Sequence, residues 1–249
     1  MTNSVILLVT IFLFVNLVNC IDFPKDIPQC KNDDQSCLQQ AIDEVVHNHF
    51  SGHRGLHLIP IDPLKIRSML IAQNSESPVS ITLKFTEFLL IGFKNMKVYS
   101  SSGFKKDIMN SNFEVDVKIP SLVLTGPYEI KGRVLVLPIT GHGQSNLTLE
   151  NVDAKIKLLG HPETKDGEEY FHLTKVKLDF DITRLRVNFE NLFNGDKALG
   201  DNMNLFINEN WKEIFAEINQ SIAEAISEVL LIAIQGPFSA IPYRKLFLP

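Results

Sequence analysis

The sequence predicts an α+β fold in which one long amphipathic helix packs along a long antiparallel sheet. Two observations lead to this prediction. Apolar and polar residues alternate with a period of two through much of residues 79–190, as they do in half-buried strands. Residues 201–235 contain neither Pro nor Gly and have helical periodicity, with a broad apolar face that only a sheet of comparable length would cover.

The chain begins with an apolar run of about 14 residues, 5–18, followed by Asn19 and Cys20. Such a run is typical of a secretory signal peptide. As a helix it would span about 21 Å, which is less than the roughly 30 Å hydrocarbon core of a membrane. We therefore expect residues 1–20 to be removed as a signal peptide and the protein to be secreted without a stable membrane anchor. An uncleaved anchor is the alternative.

Charge and cysteine content limit the classes of partner and the compartment. The formal net charge is −5 at pH 7 and no cluster of Lys and Arg is present, so nucleic acids and anionic membranes are not expected partners. Cys20 would leave with the signal peptide, so Cys30 and Cys37 are the only possible internal pair. In an oxidising compartment we expect them to form a disulfide, with free or metal-binding thiols as the alternative.

The first predicted helix covers residues 34–50, where apolar side chains recur at helical spacing and Asp33 or Asp34 can cap the first turn. Glycines at 52 and 55 end it. The prolines at 60 and 63 exclude its continuation, because proline lacks the N–H that a helix needs.

Predicted strands follow, separated by turn signals at 101–103, 126–127, 141–143 and 165–167. Several of these strands are expected to be long, which favours a curved meander over a compact sandwich. Their alternating apolar positions are Ile81/Leu83/Phe85, Phe113/Val115/Val117/Ile119, Val134/Val136, Ala154/Ile156/Leu158, Val176/Leu178/Phe180/Ile182 and Leu185/Val187/Phe189.

The last predicted element is one uninterrupted helix from Asp201, as N-cap, to Gln235, where Gly236 and Pro237 stop it. Its roughly 35 residues would extend about 50 Å. A compact globule of this chain length is only about 45 Å across, so this helix must traverse the whole domain.

Several motifs resemble those of the insect takeout and juvenile-hormone-binding family. The most specific is residues 191–211, NLFNGDKALGDNMNLFINENW. The resemblance covers essentially the whole of residues 21–249 and so implies a single domain. The supporting motifs are Cys30 with Cys37, residues 61–64, the segments 126–132 and 137–143, and the tail 241–247.

The resemblance implies a super-roll of the TULIP or BPI-like kind, in which a highly curved antiparallel sheet wraps around the long C-terminal helix and leaves an apolar tunnel for a lipid-like ligand. Juvenile-hormone-binding proteins proper have a second disulfide, which this chain lacks, so the takeout branch is implied. That branch is linked with circadian output, feeding and chemosensation. The expected tunnel residues are Phe85, Val117, Tyr128, Val134, Val136, Ile207, Trp211, Ile214, Phe215, Ile218 and Ile222.

Tyr128 has two interpretations. An apolar pocket usually carries a few placed polar groups, and the Tyr128 hydroxyl could orient a ligand. Its position beside Gly126 and Pro127 also fits a purely structural hydroxyl. The other aromatic residues at strand or helix spacing could equally be ordinary core.

The expected function is therefore that of a secreted, monomeric, non-catalytic carrier of a small hydrophobic ligand in haemolymph or another extracellular fluid. No cofactor and no metal are expected, and the sequence contains no nucleophile elbow, P-loop or zinc-protease motif. His49, His53 and His57 recur every four residues, but Gly52 and Gly55 interrupt the helix that a metal face would require.

Two further possibilities remain open at the level of sequence. The alternative function is that of an extracellular signalling protein whose core is filled by side chains and whose surface engages an unknown receptor. Asn146 and Asn219 each begin an Asn-x-Ser/Thr motif and are candidate glycosylation sites.

Overall fold

The computed structural model describes residues 23–72 and 77–249. The predicted signal peptide, residues 1–20, lies outside the described residues. Within them, seven antiparallel strands form one sheet. The strands are β1 (Leu64–Ala72), β2 (Val79–Ile91), β3 (Lys97–Ser102), β4 (Phe113–Val134), β5 (Leu137–Lys165), β6 (Glu168–Asp181) and β7 (Arg184–Phe189).

Two very long strands, β4 and β5, organise the sheet. They pair with each other from Phe113–Leu158 to Val134–Leu137. On the free side of β4, β2 pairs with one half of the strand and β3 with the other. On the free side of β5, β7 and β6 divide the strand in the same way. The sheet therefore consists of two halves that share β4 and β5.

The first helix, α1 (Gln35–Asn48), begins where the sequence predicts. The carboxylate of Asp34 accepts a hydrogen bond from the backbone N–H of Cys37 at 3.1 Å and so caps the first turn. The predicted disulfide between Cys30 and Cys37 is confirmed, with Cα atoms 5.6 Å apart. Because the carbonyl of Cys30 accepts from the N–H of Leu248, this crosslink also ties the start of α1 to the C-terminal tail.

The C-terminal helical region differs from the prediction at both ends and in the middle. It consists of α2 (Lys197–Glu209) and α3 (Trp211–Ala240), so the prediction of one uninterrupted helix is wrong. The break is at Asn210, whose side-chain amide and backbone N–H both donate to the Phe206 carbonyl, at 2.8 and 3.0 Å. A side chain that competes for a backbone acceptor in this way weakens the helical ladder locally.

The predicted helix ends were also wrong. Asp196, not Asp201, is the N-cap, because its carboxylate accepts from the N–H of Leu199. At the other end α3 continues through Gly236 and Pro237. A Cβ on Gly236 would lie 2.2 Å from the carbonyl oxygen of His57, so this glycine allows a close backbone approach and does not end the helix.

The predicted turns at 126–127 and 141–143 are strand residues in the structure, paired across β4 and β5. Glycine has a packing role here, since a Cβ on Gly126 would lie 2.6 Å from the Cβ of Phe88. The hairpin between β4 and β5 is instead formed by Leu135 and Val136. The Asp166–Gly167 turn between β5 and β6 is confirmed, and both residues have positive φ, as a two-residue type I′ turn requires.

The sheet curls around α3, as the predicted super-roll requires, since α3 packs against both edge strands, β1 and β6. Among the described helices, α3 alone is long and apolar enough by composition to cross a membrane. Its residues Ile214, Ile218 and Ile226 are buried inside the protein. The apolar composition of α3 is therefore that of a core helix.

Two asparagines of α2 attach that helix to β7. Asn208 accepts from the N–H of Val187 at 2.8 Å and donates to its carbonyl at 2.7 Å, and Asn204 does the same for Phe189, at 2.9 Å in both cases. Each amide thereby satisfies both backbone groups of one strand residue, as a neighbouring strand would. These contacts explain the spacing of four residues between the asparagines in the segment 191–211.

Candidate functional site

The inner face of the curled sheet encloses two adjoining apolar cavities. The first, which we call the large chamber, has a volume of about 300 Å³. Its walls are α1, β4, β5, β6 and the C-terminal half of α3. Every side chain that lines it is apolar. They are Ile42, Val45, Val46, Leu58, Ile61, Leu64, Phe93, Met96, Phe104, Val115, Val117, Ile119, Leu122, Leu149, Val152, Ala154, Ile156, Leu158, Leu178, Phe180, Ile226, Leu230, Ala233, Ile234, Pro237 and Phe238.

The second cavity, the small chamber, has a volume of about 70 Å³ and is again lined only by apolar side chains. Its walls are β1, β2, β7, the other halves of β4 and β5, α2 and the N-terminal half of α3. Three residues, Leu122, Leu149 and Ile226, line both chambers. The two cavities are therefore successive segments of one apolar interior.

Most of the residues predicted to line a tunnel do face the interior, but around the small chamber. Val117 lies in the wall of the large chamber. The residues around the small chamber are Phe85, Val134, Ile207, Ile214, Phe215, Ile218 and Ile222. The sequence therefore predicts residues that face the interior of the roll, but most of them surround the small chamber and only Val117 lines the large one.

Val136 was wrongly predicted to line the tunnel. It is 82% exposed, because it occupies the tight turn between β4 and β5, where the inward and outward alternation of the strands ends. Trp211 is buried but lines neither chamber. The guanidinium carbon of Arg184 lies 5.8 Å from the centre of its ring, in a cation–π contact at the junction of α2 and α3.

Tyr128 is buried outside the linings of both chambers, with its ring 4.5 Å from that of Phe189. Its hydroxyl donates to the Glu190 carbonyl at 2.6 Å. Burial, and to a lesser degree the Glu190 carboxylate, raises the pKa of Tyr128 to about 12. The geometry favours the structural interpretation of this hydroxyl, which joins β4 to the segment after β7.

The sequence missed the residues of the large chamber on α1 and on the last turns of α3. The signal was present: Ile42, Val45 and Val46 lie on one face of α1, and Leu230, Ala233 and Phe238 recur at helical spacing. The predicted tunnel residues include none on α1, and the predicted helix end at Gln235 excludes Pro237 and Phe238.

Of the three regularly spaced histidines, His49 and His53 come together and His57 is exposed apart from them. Their Nε2 atoms lie 3.7 and 3.2 Å from a carboxylate oxygen of Asp26. A backbone hydrogen bond of Asp26, followed by its contact with His53, lowers the pKa of the Asp26 carboxyl. Nδ1 of His53 accepts from the N–H of Leu56, so the neutral ring carries its proton on Nε2 and offers no lone pair there to a metal.

The two candidate glycosylation sites differ in exposure. Asn146 is exposed on β5, while Asn219 on α3 is only partly exposed and the Ser221 hydroxyl of its motif donates to the Ala72 carbonyl.

No residue that lines either chamber has a titratable side chain, so the chambers offer no general acid, base or nucleophile. What they offer is apolar surface enclosed by a curled sheet and a helix. A fold and interior of this kind define a hydrophobic-ligand-binding protein.

Comparisons with known proteins agree with this class and identify the family. The chain belongs to the haemolymph juvenile hormone binding protein (JHBP) family, whose profile matches residues 6–248. The crystal structure of Takeout 1 of Epiphyas postvittana superposes with a TM-score of 0.74 at 26% identity, covering 87% of this chain and 97% of that one. The predicted family and super-roll fold are thus confirmed.

Two relatives in flies are similar over most of their length. The circadian clock-controlled protein daywake of Drosophila melanogaster is 26% identical over 229 residues, which cover 90% of this chain and 88% of that protein. Daywake of Drosophila yakuba is 24% identical over the same length. Members of the family are carriers of hydrophobic ligands, and catalysis is not a known property of the family.

Proposed function

We propose that this protein is a secreted carrier that holds one small hydrophobic molecule, such as a terpenoid, a fatty acid or a similar lipid-like compound, in the large chamber. The observation that carries the proposal is the chamber itself: about 300 Å³ of space with an entirely apolar lining. This volume lies at the lower end of the range for small-molecule pockets.

Binding would be driven by removal of apolar ligand surface from water. A ligand burying about 400 Å² gains roughly 10 kcal/mol at about 25 cal/mol per Å². Immobilising the ligand and ordering the side chains around it costs several kcal/mol, which leaves an affinity in the micromolar range. Because the lining has no polar group, the affinity is expected to depend on the size and shape of the ligand.

The location and physiology belong to the same proposal. The Cys30–Cys37 disulfide and the predicted signal peptide support secretion into haemolymph or another extracellular fluid. The similarity to daywake, whose name describes a circadian clock-controlled protein, supports a link to daily rhythms. A terpenoid related to juvenile hormone is one ligand consistent with the family.

The large chamber weighs against the alternative of a filled core that serves only as scaffold for a receptor-binding surface. A cavity of about 300 Å³ forfeits the dispersion contacts that a filled core would provide. Such a cost is expected where a ligand supplies the missing contacts.

The proposal is tested by titrating the secreted, disulfide-bonded protein with the apolar fluorescent probe N-phenyl-1-naphthylamine and then displacing the probe with fatty acids and terpenoids. Saturable binding of one probe per chain, with displacement, is expected. A correctly folded protein, as shown by circular dichroism, that neither enhances probe fluorescence nor retains lipid after solvent extraction would refute it.

A further inference from the structure

The boundary between the two chambers lies at one level of the roll on three separate elements. Along β4, Ile119 lines the large chamber, Leu122 lines both and Leu124 lines the small chamber. Along α3, Leu230 lines the large chamber, Ile226 both and Ile222 the small chamber. The order of residues along each chain thus reproduces the order of the cavities.

The strand β5 repeats this order. Val152 lines the large chamber, Leu149 both and Leu147 the small one. Leu122 and Leu149 are direct partners in the β4–β5 register, and Ile226 of α3 lines the interior at the same level. All three side chains are less than 10% exposed. We call Leu122, Leu149 and Ile226 the constriction.

The sheet itself changes at this level. Buried residues of β4 are odd-numbered up to Ile119 and even-numbered from Leu122 onward, and β5 makes the matching change between Leu149 and Val152. The change occurs at Pro120, which has no N–H to donate, and at Asn151, which has a positive φ of 49°. The constriction therefore lies where both long strands shift which residues face inward.

We infer that the constriction sets the length of ligand that this protein accepts: an unbranched apolar tail fills the large chamber and stops against Leu122, Leu149 and Ile226. This inference rests on the proposed function and adds a specificity-determining element to it. The ligand class that follows is a molecule with one flexible hydrocarbon segment of limited length, because neither chamber lining offers a partner for a polar group beyond that segment.

The test measures probe displacement by saturated fatty acids of increasing chain length, from eight to twenty carbons, using wild type and the variants Ile226→Ala and Leu149→Ala. In wild type, each added methylene should tighten binding about 4-fold, which corresponds to ~0.8 kcal/mol per buried CH₂, until the large chamber is full. Longer acids should then bind no more tightly. In each variant this plateau should move to acids at least two carbons longer.

One control separates the inference from general loosening of the core. Ile207→Ala removes the same kind of side chain from the small chamber away from the constriction and should leave the plateau length unchanged. If Ile226→Ala fails to give a folded protein by circular dichroism, Ile226→Val provides a milder opening, with the same direction of change.

The outcomes distinguish the two proposals. Affinity that rises without a plateau up to twenty carbons in wild type would overturn the constriction while leaving the carrier function intact. A plateau that both opening variants leave in place would also overturn it. Failure of the folded protein to bind any acid would refute the carrier function and the constriction together.

Discussion

The two halves of the roll share β4 and β5, yet one half encloses a cavity of about 300 Å³ and the other one of about 70 Å³. The difference lies in the side chains and the covering elements. Around the large chamber, Ala154 and Ala233 have small side chains, and α1 forms part of the wall. The lining of the small chamber contains no alanine. A common backbone scaffold can thus be either a packed core or a binding site, depending on a few side chains.

The largest effect is expected from filling the large chamber. The double variant Ala154→Phe/Ala233→Phe places two rings in the cavity and should weaken binding of the apolar probe more than about 100-fold, because the space for it is gone. Fluorescence titration measures this loss. The matched control is Val187→Phe, which enlarges a side chain of the small chamber and should change probe affinity less than about 3-fold.

If the double variant still binds the probe and Val187→Phe does not, the binding site lies in the small chamber and not in the large one. Circular dichroism of each variant checks that the fold is retained.

The next largest effect concerns the half with the small chamber. Asn208→Ala leaves the N–H and the carbonyl of Val187 without partners and should lower the free energy of unfolding by about 2–3 kcal/mol. Urea denaturation measures this loss of unfolding free energy. Asn202→Ala, at an exposed position of the same helix, should change stability by less than about 0.5 kcal/mol. An equal loss in both variants would show that α2 propensity, and not the attachment to β7, explains the effect.

Loss of the disulfide should affect the half of the roll that contains the large chamber. Cys30→Ala/Cys37→Ala opens a short loop, with a sequence separation of 7, and should cost about 2 kcal/mol of unfolding free energy. Since α1 forms a wall of the large chamber, probe affinity should also fall, whereas Asn208→Ala should leave affinity nearly unchanged. Unaltered probe binding in the Cys30→Ala/Cys37→Ala variant would mean that α1 holds its place without the crosslink.

The smallest effect is expected at Tyr128, which belongs to neither chamber. Tyr128→Phe removes the hydrogen bond to the Glu190 carbonyl and should cost about 1 kcal/mol at neutral pH. Because the folded-state pKa is raised to about 12, the stabilisation is complete below pH 10 and is lost as the pH rises towards 12. Urea denaturation across this pH range should show that the free energy of unfolding falls more steeply for wild type than for Tyr128→Phe. Parallel declines would contradict the assigned pKa.

The sequence was informative wherever one local rule decided the structure. Asp34 as N-cap, the disulfide from Cys30 and the Asp166–Gly167 hairpin each follow from the chemistry of a few adjacent residues. The periodicity also identified an apolar helix face that has to be covered by the sheet. The family resemblance added the curl of the sheet, which periodicity alone does not determine.

The failures occur where a distant contact overrides a local signal. Gly236 is predicted to end a helix and Gly126 to form a turn. Each is instead needed for a close approach by a residue far away in sequence, His57 for Gly236 and Phe88 for Gly126. Asn210 breaks the helix through a side-chain contact that helical periodicity does not register. The room inside the large chamber depends on the positions of α1 and the last turns of α3, which follow from three-dimensional packing and not from any residue pattern.

The most direct test is native mass spectrometry of the protein purified from the medium of insect cells. One non-covalent apolar adduct per chain, released by organic solvent and missing from Ala154→Phe/Ala233→Phe, is the predicted result. A wild-type protein that is correctly folded, carries no adduct and takes up none when lipid is added would contradict the assignment of the large chamber as a ligand site.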